Sequence, residues 1–170
     1  MMETKVIYLN EKLWSNLIQE SPELFIPVIV DYKQKIQKVA NEVFKSFISA
    51  HKSVNPKSVE RIEIDYKFRL LIAEFKVDLR KKFIDEKVRL NLLKGTNYKK
   101  YDKGGEVLNE SIMIPTKKES DKMAILGSYF EKLIVNTVDQ IIYELKECYE
   151  LSGKFGPMNQ IYNKVFIFKD

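Results

Sequence analysis

RIEIDYKFRLLIAEFKVDLRKKF, residues 61–83, decides the fold, because it supports two incompatible structures. Polar and apolar residues alternate over 61–70 and again over 74–80, which is the pattern of half-buried strands. Folded as a hairpin, the stretch would set Asp65 ahead of Glu74-Phe75-Lys76, gathering two carboxylates and a lysine. Folded as a helix, it is an apolar rod without chemistry. A hairpin needs a turn, and the residues available are Tyr66-Lys67-Phe68-Arg69-Leu70-Leu71. None supplies positive φ or turn chemistry, and a single unbroken strand of that length would be exceptional.

The helix accounts for the same alternation. At about 100° per residue, Ile64, Phe68, Leu71, Ile72, Phe75, Leu79 and Phe83 share one face, and Ile62, Tyr66, Leu70, Ala73, Val77, Ile84 and Val88 share the opposite one. Glu63, Lys67, Glu74, Asp78 and Asp85 lie between the faces on one side, and Arg69, Lys76 and Arg80 on the other. Asn55-Pro56 is a start signal upstream, and Gly95 a stop signal downstream. A helix apolar on two opposite faces is sandwiched: one face packs within its own domain and the other meets a second layer or another chain. Phe68, Phe75, Leu79 and Phe83 carry the bulkier side chains and are the candidate partner face, with the domain core as the equal alternative.

The flanking segments read as helices too. Asn10 caps a short first helix whose apolar face includes Leu13, Trp14 and Leu17. Ser21-Pro22-Glu23 restarts the chain, with Pro27 allowing a kink or a delayed start. A wide stripe from Ile29 to Ile48 comes next. The last long helix is expected over about 118–151, with Cys148 on its apolar stripe as a buried, inert thiol. Residues 95–117 form the main linker, where Tyr98 and Tyr101 among lysines could stack on a nucleic acid or simply face solvent. The alternating run at 164–169 is expected to be one strand, which needs a sheet edge from a vestigial small domain or a partner. The fold class is thus all-α: a bundle of about four helices over residues 1–152, with a strand-like tail over 153–170.

Composition narrows the chemistry. The 170 residues hold one cysteine and one histidine, His51, so neither a disulfide framework nor a zinc site is available within one chain. His51 lies in SFISAHKSVNP, away from any nucleophile motif, and reads as a helix-end surface residue. No signal-peptide core or membrane-length apolar run is present, so a cytoplasmic protein without membrane contact is expected. The net charge is +5, and residues 76–103 hold ten Lys or Arg against four Asp or Glu. Arg80, Lys81, Lys82, Lys99 and Lys100 are candidate contacts for DNA or an acidic partner, or form a solvated face. No phosphate loop or dinucleotide fingerprint occurs, and no cofactor is expected.

Two families are resembled by parts of the chain. As a hairpin, Asp65, Glu74 and Lys76 resemble the D…ExK site of PD-(D/E)XK nucleases, which implies a Mg²⁺ ion on the carboxylates and a lysine beside the attacking water, with Glu42 as an added carboxylate. On a helix, Asp65 and Glu74 stand about 13 Å apart along the axis and half a turn out of phase, so they could not share a metal. Over about 6–142, the order of elements resembles archaeal GINS subunits. VIYLNEKLWSNLIQES is similar to their opening, VERIEIDYKFRLLIAEFKVDLRKKFID to their central helix, and IPTKKESDKMAILGSYFEKLIVNTVDQII to the helix after it. The resemblance implies a non-catalytic replication subunit, with a second GINS-type subunit, the MCM helicase and a RecJ/Cdc45-like protein as partners. The chain departs from the family after Gly153, where the remaining residues are too few for the usual β domain. A helical adaptor of another nucleic-acid machine, CRISPR or viral, shares the same patterning.

Overall fold

The computed structural model describes residues 4–50, 61–93, 115–155 and 163–169. In chain order these form β1 (Thr4–Tyr8), α1 (Glu11–Glu20), a 3-10 turn (Glu23–Phe25), α2 (Ile26–Ala50), α3 (Arg61–Leu93), α4 (Lys117–Phe155) and β2 (Asn163–Ile167). The deciding stretch lies wholly inside α3, one helix of 33 residues. The caps expected at Asn55 and Gly95, and the linker as far as residue 114, with Tyr98 and Tyr101, fall outside the described residues, as does His51.

Local chemistry sets the boundaries. The Asn10 side chain accepts the Leu13 backbone N–H at 3.0 Å, satisfying a donor that the first turn of α1 leaves unpaired. Ser21 does not cap the next helical segment; its hydroxyl donates back to the Leu17 carbonyl at 2.7 Å. Pro22 leads into the 3-10 turn, and α2 begins only at Ile26, so Pro27 marks a delayed start at the front of the helix. At the head of α4, Thr116 and Glu119 form a reciprocal box: the Thr116 N–H donates to Glu119 at 3.0 Å and the Glu119 N–H to the Thr116 hydroxyl at 3.2 Å. Each satisfies an orphan donor. The helix then runs through Gly153 to Phe155, beyond the expected end.

The three long helices pack on one another, and their apolar stripes meet in an aromatic cluster. Phe75 of α3 stacks on Phe130 of α4 with centroids 4.0 Å apart. Tyr32 of α2 stands edge-on to both, at 5.3 and 5.6 Å. Stacked and edge-to-face pairs of this kind add to the gain from burying the rings. α1 lies on α4 and β2 on α2, whereas among the described residues α3 packs mainly on α2, α4 and the 3-10 turn. The body is therefore layered, with α3 outermost on one side and α1 and the strands on the other.

The tail strand finds its edge inside the chain, correcting the expectation of a separate small domain or a partner. β2 pairs in parallel with β1, with Thr4 opposite Asn163 and Tyr8 opposite Ile167. Asn41 of α2 clasps Phe166 on both backbone groups: its side chain accepts the N–H at 2.8 Å and donates to the carbonyl at 3.0 Å. Gln37 accepts the Phe168 N–H at 2.7 Å. Among the described residues no helix is long and apolar enough to cross a membrane.

Candidate protein-interaction face

The geometry of α3 sorts its two apolar faces. Ile64, Phe68, Phe75, Leu79 and Phe83 are buried among α2 and α4. Phe68, Phe75, Leu79 and Phe83, the bulkier candidates for a partner face, are thus the domain core, because the largest rings fill the space where three helices meet. The opposite face is bare: Ile62 is 67% exposed, Tyr66 66%, Leu70 66% and Val77 64%. Ala73 is exposed between them, and Ile84 and Val88 are half-buried further along. Elsewhere among the described residues, large exposed apolar side chains stand singly or as the strand pair Val6 and Tyr8. Only α3 aligns four of them along one helix face. Contiguous exposed apolar surface on a folded chain marks an interaction site.

Charged residues border this face differently on its two sides. Towards α4, Arg61 pairs with Asp139 and also reaches Asp65 at 3.4 Å. Lys76 binds Glu131 at 2.5 Å and Lys87 binds Glu119 at 3.0 Å. These ion pairs staple α3 to α4. Towards α2, Asp78 accepts the Tyr32 hydroxyl at 2.5 Å. Burial, and then this bond to Asp78, push the tyrosine well above its ordinary range, so it stays a proton-bearing donor.

The residues proposed for DNA or an acidic partner do not form one basic field. Arg80 and Lys81 are exposed and Lys82 is half-buried. Arg80 lines a groove of about 520 Å³ between α3 and α4, together with Lys76 and Glu131. Lys81 and Lys82 line a cleft of about 190 Å³ between α2 and α3, where Asp31, Asp78 and Asp85 supply opposing charge. Lys99 and Lys100 lie outside the described residues. The nuclease arrangement is overturned by geometry: Asp65, Glu74 and Lys76 lie on one helix, with Asp65 paired to Arg61 and Lys76 to Glu131. Among the described residues no group of His, Cys, Asp and Glu could hold a metal.

A buried ionic cluster was not foreseen. Lys164 of β2 is fully buried; it pairs with Glu144 and, at 3.1 Å, with Glu147 of α4. Alternation placed Lys164 on a strand but could not show that its side chain points inward. Cys148 lies beside this cluster and is buried, and burial raises its thiol above the ordinary range, as expected for an inert cysteine. No family model, curated protein or solved structure matches the chain.

Proposed function

We propose that the chain is a non-catalytic subunit that works by docking to protein through the outer face of α3. One observation carries this reading: Ile62, Tyr66, Leu70 and Val77, each about two-thirds exposed, lie in line on a single helix. Keeping four large apolar side chains in water opposes the hydrophobic effect, and contact with another surface removes that cost. The assembly we assign it to is a GINS-type DNA replication complex, linking the MCM helicase and a RecJ/Cdc45-like protein. That assignment rests on the order of helical segments in the sequence. Direct DNA contact through Arg80 is secondary, because neighbouring carboxylates offset the nearby lysines.

The test uses tagged wild-type chain and a Leu70→Glu variant in nuclease-treated extract of the native cells. Wild type should retain MCM and a RecJ/Cdc45-like protein, and the variant should lose them. Recovery of CRISPR or viral components would discard the replication assignment while keeping the docking role. Identical recovery by both chains would remove the α3 face from the reading.

A further inference from the structure

We infer that the outer face of α3 pairs with the same face of a second copy of this chain, the two helices running antiparallel. This rests on the docking role just proposed for that face and names its occupant. Glu63, Tyr66, Leu70, Ala73, Val77 and Arg80 recur at alternating steps of three and four, and all six are exposed. Steps of this kind form the seam of a two-helix coil. A seam that meets its own copy must be self-complementary about a two-fold axis.

This seam is self-complementary in both shape and charge. With the axis level with Leu71 and Ile72, Leu70 lies opposite Ala73 of the copy and Tyr66 opposite Val77. Each layer thus sets a larger residue against a smaller one. The same register puts Glu63 opposite Arg80 at each end, so opposite charges close the apolar centre. On the flank towards α2, Lys67 falls beside Glu74 of the copy, twice over. Among the described residues, Glu63, Lys67, Glu74 and Arg80 have no ion-pair partner in their own chain. On the flank towards α4, Arg69 falls near Lys76 of the copy, but Lys76 is already held by Glu131. A parallel pair in register would set Glu63 against Glu63 and Arg80 against Arg80, which selects the antiparallel arrangement.

Sedimentation of the full chain from about 1 to 200 µM tests the pairing, with circular dichroism to monitor folding. Leu70 is 66% exposed, so Leu70→Glu should leave helicity unchanged and weaken self-association by about 100-fold. Glu63→Arg and Arg80→Glu should each weaken it by about tenfold, and the two together should restore it to within about threefold of wild type. A wild-type chain that stays monomeric throughout overturns the inference, as does a Leu70→Glu chain that dimerises as well as wild type. Failure of the double exchange to restore pairing overturns the antiparallel register. A monomeric wild type whose partners in extract are still lost with Leu70→Glu overturns the second copy alone and leaves the docking role standing.

Discussion

Phe75 and Leu70 sit five residues apart on the same helix, and their side chains face opposite ways. Phe75 lies fully buried against Phe130 and Tyr32, and Leu70 lies mostly in water. Phe75→Ala should therefore cost about 3–5 kcal/mol, and Leu70→Ala should stay within about 0.5 kcal/mol, both read from urea unfolding at a concentration where the chain is monomeric. Both residues were visible in the sequence as members of apolar faces. Periodicity could not say which face was inside, because that depends on where α2 and α4 pack. Lys164 shows the same limit, since a buried lysine looks like any other in an alternating run.

That lysine also sets a pH dependence. Burial works against the Glu147 carboxylate, yet Lys164, aided by Lys5, holds it below the usual 4.5. A lowered carboxylate contributes stability above its unfolded value and loses it as pH falls through the folded one. Burial likewise opposes the charge on Lys164, but Glu144 and Glu147 raise it above the usual 10.5, so its contribution is present below 10.5 and lost as pH climbs through the raised value. Both contributions are in place at neutral pH. Glu147→Gln should flatten the loss of stability below pH 4.5, measured by urea midpoints on either side of that value, and wild type should show the steeper acid limb.

At the scale of elements, helices were legible where a stripe and a cap coincided. The Asn10 cap and the stripes of α2 and α4 occur as the residues imply. The Thr116–Glu119 box was present as T-K-K-E and fixes the start of α4. Thr116→Ala should cost about 0.5–2 kcal/mol, seen as a lower melting temperature with helix content unchanged at 25 °C. β1 was not legible, because T-K-V-I-Y is short and its pairing partner lies at the far end of the sequence. No local signal connects Thr4 with Asn163, since strand pairing over such a distance is decided by how the helices between them pack.

For the whole molecule, the strands and the buried cluster fasten the end of the chain to the helical body. Truncation after residue 162 would remove Phe166 from Phe44 and Phe168 from Trp14. It would also leave Glu144 buried without its lysine, a strongly destabilising change. We expect the truncated chain to unfold at a lower urea concentration than any single substitution above, with circular dichroism as the readout. Layering also explains which functional feature the sequence could reveal. Two apolar faces on α3 implied a neighbour on each, and the structure supplies one of them from α2 and α4.

The parallel pairing of β1 with β2 has a mechanical consequence. The chain enters β1 beside Asn163 and leaves β2 beside Tyr8, at opposite ends of the pair. Tension between the segment entering β1 and the segment leaving β2 therefore slides one strand along the other. The backbone bonds between them carry the load together, whereas an antiparallel hairpin pulled from its open end would unzip bond by bond.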